Sequence, residues 1–180
     1  MTGSKRKAVF IDRDGTLIEE VNFLSRVEDL RLFSFTADAV RLLKENGFLA
    51  IVVTNQSGIG RGLYDEAAMH AIHERIQDGL VEKLDGFYFC PHLPDAGCPC
   101  RKPNLGMIEA ACADFDIDLE NSWMIGDKEI DVRTGINAGI RTSIVMTGYG
   151  SADVDKLMRK PDIVAEDLLK AVKIIVSSAS

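Results

Sequence analysis

Asp12 and Asp14 stand two apart, just beyond the apolar run 8–11. On an extended segment that spacing turns both carboxylates toward one site and points Arg13 away. Such a pair suits a divalent cation together with a nucleophile and a proton-transfer partner, although an Asp-rich turn after an edge strand would read the same way. Gly15 permits a sharp turn with close backbone approach, and Thr16 can hydrogen-bond locally to shape it. Thr54 closes a second apolar run, and Asn55, Gln56, Ser57, Gly58 and Gly60 follow it. Their amides and hydroxyls could ring an anion or merely cap a helix. Arg101 and Lys102, stiffened by Pro103, set two cations on a loop that should reach the same edge, unless they are only a solvated basic pair. Asp127 after Gly126, and Asp131 four residues on, can share one face of a first helical turn. There Asp131 either supplements a metal site or caps the helix.

A second cluster is built from softer atoms. Cys90, His92, Cys98 and Cys100 fall within eleven residues, and three thiolates with one imidazole make a closed, tetrahedral, structural zinc set. Pro91, Pro94, Gly97 and Pro99 deny the 90–100 loop regular structure, so a metal cross-link would order it and fix Arg101 and Lys102 at its end. Close disulfides or free thiols are the alternatives; Cys112 falls on a predicted helix. His70 and His73 have no acidic ligand set around them in sequence and are expected at the surface. Trp123 and the phenylalanines at 10, 33, 35, 48, 87, 89 and 115 are expected in the core.

The elements that must position these groups alternate. Strands are predicted at 8–11, 49–54, 86–90, 122–125, 141–146 and 162–164. Helices are predicted at 37–46, 65–84, 105–115, 131–138 and 166–176, with Asp65 and Glu166 favouring helix starts and Gly47 a helix stop. The rhythm implies an α/β fold, a Rossmann-like three-layer parallel sheet with helices on both faces. Every reactive string above directly follows a strand, at the sheet edge where ligands of such folds bind.

At 180 residues the chain is expected to be one domain. With 46% hydrophobic and 27% charged residues it reads as an ordinary globular protein rather than a disordered one. Its longest apolar stretches fall far short of the roughly 20 residues of a membrane span. The basic N-terminus runs into Asp12 and Asp14 without an apolar signal core. Cytoplasmic residence as a monomer, with no membrane partner, is expected. A net charge of −7 argues against nucleic acid and leaves an anionic small molecule open where basic groups concentrate.

In this order, Asp12-x-Asp14-Gly15-Thr16, Thr54-Asn55, Lys102 and Gly126-Asp127-x-x-x-Asp131 resemble the four motifs of the haloacid dehalogenase-like phosphohydrolases over residues 8–131. The longer strings, 12–16, 54–62, 90–92, 98–103 and 126–128, are similar to those of the heptose 1,7-bisphosphate 7-phosphatases and of their neighbours, the histidinol-phosphate phosphatases. The resemblance implies Asp12 as nucleophile, Asp14 as acid and base, and Thr54 and Lys102 holding the phosphoryl group. It implies Mg2+ on Asp12, the Asp14 carbonyl and Asp127. Asn55, Gln56, Ser57, Arg101 and Lys128 would contact a phosphorylated sugar, with Glu20, Val21, Asn22 and Phe23 at the entrance. Dehalogenating members lack the second acid, so phosphate chemistry is favoured. Segments 15–35 and 58–86 are too short for a large cap domain, which implies a capless core. The five residues between His92 and Cys98 match histidinol-phosphate phosphatases, whereas the longer string 57–62 matches the heptose group. A receiver-type signalling domain is the non-enzyme alternative; it would carry its acceptor Asp after the third strand, where this chain has Cys90-Pro91-His92.

Overall fold

The computed structural model describes residues 5–178; the start of the basic N-terminal segment, residues 1–4, lies outside the described residues. Six strands form one parallel sheet: β1 (Ala8–Ile11), β2 (Leu49–Asn55), β3 (Gly86–Cys90), β4 (Trp123–Gly126), β5 (Arg141–Val145) and β6 (Ile163–Ala165). Their order is β3-β2-β1-β4-β5-β6. The helices are α1 (Thr36–Glu45), α2 (Ser57–Gly60), α3 (Glu66–Asp78), α4 (Gly106–Asp114), α5 (Glu129–Asn137), α6 (Gly150–Asp153) and α7 (Leu168–Ser178).

Side-chain alternation along β1 builds two cores. Val9 and Ile11 join Val40, Leu43, Ile72, Val172 and Ile175 from α1, α3 and α7 on one face. Ala8 and Phe10 join Met107, Ile108 and Ala111 of α4 on the other. A strand buried on both faces has no polar side, which is why β1, β2 and β4 read as unbroken apolar runs. β3 is an edge strand, and Phe87 and Phe89 on it are only half-buried, as are Phe33, Phe35 and Phe115; Phe10, Phe48 and Trp123 lie in the core as expected.

Three predicted boundaries moved for local reasons. The helix expected to run to residue 84 stops at Asp78, with Gly79 as its C-cap. The chain then folds back, held where the Gln77 amide exchanges hydrogen bonds with the backbone N–H and C=O of Leu84. Asp167, not Glu166, serves the start of α7, accepting from the Lys170 amide at 2.8 Å. α5 begins at Glu129, two residues earlier than expected, because Asp131 caps it from inside. Asp65 does cap α3, accepting from the Ala68 amide. Between residues 15 and 35 the only helical element is the single turn Val27–Asp29, so the open, capless core stands.

The order places β1 between β2 and β4, the point where the direction of strand progression reverses and α/β folds open a crevice at the carboxyl ends. Register puts Ile11 beside both Val52 and Ile125. Asp12 therefore leaves the sheet flanked by the ends of β2 and β4, whose next residues include Thr54 and Asp127. Receiver-like sheets are ordered 2-1-3-4-5 instead.

Candidate active site

A cleft of about 330 Å³ opens at this edge, and Asp12, Asp14, Thr54, Lys102 and Asp131 line it. All nine residues expected to meet substrate line it too: Glu20, Val21, Asn22, Phe23, Asn55, Gln56, Ser57, Arg101 and Lys128.

Its centre is a buried ammonium. Lys102 is 3% exposed, and its Nζ donates to Asp12 Oδ1 at 2.8 Å, Asp131 Oδ1 at 2.6 Å and the Val53 carbonyl at 2.9 Å. All three N–H donors have protein acceptors, so Lys102 faces an incoming anion as a fixed charge. Burial opposes the charge on Asp12, but Lys102 and Lys128 outweigh it and hold that carboxyl below the usual carboxylate range. Burial likewise opposes the charges of Lys102 and Lys128; the carboxylates around them hold both above the usual lysine range. Asp131 takes the capping role, its Oδ2 accepting from the Lys128 amide at 3.1 Å at the start of α5, while its Oδ1 pairs with Lys102. A β-carbon at Gly126 would come within 2.2 Å of that Oδ2, which is why glycine precedes Asp127.

Asp127 is fully buried, and its Oδ1 has no hydrogen-bond partner among the described residues. Burial first, then the charges of Asp12 and Asp131, push its carboxyl up to about 8. Oxygens of Asp12, Asp127 and Asp131 lie within 4.8 Å of one another. A hard divalent ion bound through oxygens fits this excess of negative charge, with Asp12 and Asp127 presenting ligand atoms and Asp131 committed to its protein donors. Gly15, at φ +82°, makes room for the Asp127 carboxylate, since a β-carbon there would fall 2.3 Å from its Oδ2.

Arg13 does not point away. The chain leaves β1 into a tight turn, with the Leu17 and Ile18 amides donating to the Arg13 carbonyl at 3.0 and 3.2 Å, so strand alternation no longer applies. The Arg13 side chain is 1% exposed and grips Asp14 with two nitrogens, at 3.0 Å each. Its Nη1 lies 3.4 Å from His73 Nε2. His73 is thus buried, 5% exposed, and stacked on Phe87, whereas His70 is exposed as expected. Burial, then the Arg13 charge, lower the His73 pKa to about 3. Asn55 and Gln56 reach the cleft, yet their amides are engaged internally: Asn55 brackets the backbone of Lys102, and Gln56 bonds Thr54, Asp14, Arg13 and Tyr64. Tyr64 and Tyr149 line the cleft and were not anticipated; aromatic rings carry no motif signal.

In the 90–100 loop, Sγ of Cys98 sits 3.5 Å from Sγ of both Cys90 and Cys100, and His92 Nδ1 is 3.5 and 3.3 Å from Cys90 and Cys100. All four cysteines are free, and disulfide sulfurs would lie about 2 Å apart. Ligands about 2.3 Å from a tetrahedral zinc are about 3.7 Å apart, so the set matches zinc closely. Arg101 donates to the His92 carbonyl at 3.3 Å, tying the loop to the cleft.

A strand-end acid pair, a buried lysine and a third acid at the switch point of a 3-2-1-4-5-6 sheet define the haloacid dehalogenase-like hydrolases. The HAD-hydrolase-like family model matches residues 99–171. The D-glycero-D-manno-heptose-1,7-bisphosphate 7-phosphatase of Thermosynechococcus vestitus is 41% identical, over 93% of this chain and 94% of that protein. The D-glycero-beta-D-manno-heptose-1,7-bisphosphate 7-phosphatase of Haemophilus ducreyi is 36% identical over 93% and 97%. The crystal structure of the D,D-heptose 1,7-bisphosphate phosphatase from B. bronchiseptica, complexed with magnesium and phosphate, superposes with TM-score 0.89 at 29% identity, covering 96% and 99% of the two chains. The chain belongs to this family of heptose-bisphosphate phosphatases within the haloacid dehalogenase-like hydrolases.

Two measurements check this geometry. Protein purified without chelator should contain about one zinc per chain, and stripping it should lower the melting temperature; a zinc-free, equally stable protein would refute the Cys3His site. For His73, the unfolded chain binds a proton near pH 6.5 and the folded chain only near 3. Stability should therefore fall as pH drops from 6.5 toward 3, by at most about 1.4 kcal/mol per pH unit from this group. Denaturant titrations of His73→Gln across that window should show a shallower fall; an unchanged slope would contradict the buried, neutral imidazole.

Proposed function

We propose that the chain is a phosphatase that removes the 7-phosphate of D-glycero-D-manno-heptose 1,7-bisphosphate. The observation that carries it is Asp12, ionised beside Lys102 and grouped with Asp127, whose Oδ1 has no partner among the described residues. In support, relatives over nearly its whole length bear that activity in their names.

Asp12 attacks phosphorus and the bond to the sugar oxygen breaks, leaving an aspartyl phosphate. Asp14 gives its proton to the departing alkoxide, then takes one from the water that hydrolyses the intermediate, so a single carboxyl serves both halves. Thr54 and Lys102 steady the phosphoryl oxygens, the first by a hydroxyl and the second by fixed charge. Asp12, the Asp14 carbonyl and Asp127 would hold Mg2+, which supplies charge neutralisation so that a carboxylate and a phosphate can meet. Arg101, Lys128, Asn55, Gln56 and Ser57 face the remainder of the sugar, and residues 20–23 form the entrance. Lys128 pairs with Glu20 at 3.2 Å and lies 4.7 Å from the centre of the Tyr149 ring, so substrate must compete for it. The whole chain would act as one phosphatase domain whose zinc-binding loop holds the phosphate-side cations. We further infer a cytoplasmic location, since the four unbridged thiols suit a reducing compartment, and that the chain acts as a monomer.

Asp12→Asn should lose more than about 10³-fold in kcat, as removal of a covalent nucleophile does. The fold should persist, because Lys102 keeps Asp131 and the Val53 carbonyl as partners. Near-normal phosphate release would remove the nucleophile. Comparing kcat/KM for heptose 1,7-bisphosphate, histidinol phosphate and fructose 1,6-bisphosphate should rank the first highest; a preference for histidinol phosphate would move the substrate to the neighbouring group.

A further inference from the structure

Arg13 is 1% exposed, and it is charged. Burying an ion pair is a poor route to stability, because desolvation consumes much of the attraction. Its surroundings suggest a different return. Nε donates to Asp14 Oδ2 and Nη2 to Asp14 Oδ1, a fork that fixes the plane of the carboxylate as well as its place. Gln56 braces the same group, donating from Nε2 to Asp14 Oδ2 at 2.9 Å and to Thr54 Oγ1 at 2.7 Å while its Oε1 accepts from Arg13 at 3.0 Å and from the Tyr64 hydroxyl at 2.5 Å. Behind the guanidinium stands His73, whose Nε2 can accept from Nη1 only while the ring is neutral. The Phe87 stack, with centroids 4.4 Å apart, holds that ring in place. Residues from the β1 turn, the β2 end, α3 and β3 therefore converge on one carboxylate.

We propose that Arg13, backed by His73, is a positioning residue that aims the proton-transferring carboxyl of Asp14 at the leaving oxygen, and that it does not bind the phosphoryl group itself. Both Arg13 nitrogens of the fork are already filled by Asp14, which leaves the phosphate to Lys102, Thr54 and the metal. The inference rests on the phosphatase function proposed above.

An alkyl phosphate needs its leaving oxygen protonated, whereas 4-nitrophenolate leaves without help. Since kcat/KM includes no step after the first irreversible one, it isolates the acid role of Asp14 from its later base role. In Mg2+-loaded enzyme, Arg13→Lys and Arg13→Met should lose about 10²-fold in kcat/KM on the sugar bisphosphate, the usual scale of general-acid catalysis, and several-fold at most on 4-nitrophenyl phosphate. The lysine keeps the charge but lacks the fork, so it should not rescue. Calorimetric affinity for inorganic phosphate should be unchanged. If these variants do not fold, His73→Phe, which keeps the stack and removes the acceptor, should show the same substrate-selective loss in milder form, and His73→Gln, which restores an acceptor, should recover it. Equal losses on both phosphate esters, or weakened phosphate binding, would overturn the positioning role. A wild-type protein inert toward both esters would overturn the phosphatase function and this inference with it.

Discussion

The ammonium of Lys102, buried between Asp12 and Asp131 and closed by the Val53 carbonyl, is the constraint around which the site is organised. One cation ties together three chain segments that diverge from the sheet: the end of β1, the end of the cysteine-rich loop and the first turn of α5. Removing the lysine would leave two buried carboxylates uncompensated, a change that commonly costs about 3–5 kcal/mol. The loops therefore cannot drift apart independently. The same arrangement keeps Asp12 ionised, as the proposed attack on phosphorus requires.

Because Lys102 arrives on a loop rather than a strand, something other than the sheet must fix that loop. Two devices do so. The side chain of Asn55, at the end of β2, hydrogen-bonds both the N–H and the carbonyl of Lys102. The four soft ligands from Cys90 to Cys100 gather just upstream, where a metal can replace the regular structure that the prolines forbid. The two candidate metal clusters thus differ in donor type: sulfur and imidazole would hold the loop, and carboxylate oxygens would face the reaction.

Much of this was legible along the chain. Strands β1 and β3 fell where apolar runs placed them, and the acids and cations at strand ends were recognisable because parallel sheets direct ligands to one edge. Arg13 was not legible, because its direction followed from extended alternation and the chain turns at that residue. His73 looked like half of a polar surface pair, since its helix face is settled by packing with Ile72 and Ile76 and its partner lies sixty positions away. Asp131 offered a helix cap or a metal role in sequence; one of its oxygens caps α5, and the other goes to Lys102, a partner no local pattern reveals.

The chain by itself determined which functional groups exist and that they gather at the carboxyl edge of a parallel sheet, because those properties follow from residue type, local periodicity and the chirality of βαβ connections. Only the tertiary structure decided which charge meets which. Pairings such as Lys102 with Asp12 or Arg13 with Gln56 span tens of residues. Hydrogen bonds of that reach are selected by strand order, register and burial together, and none of the three is written in any one segment.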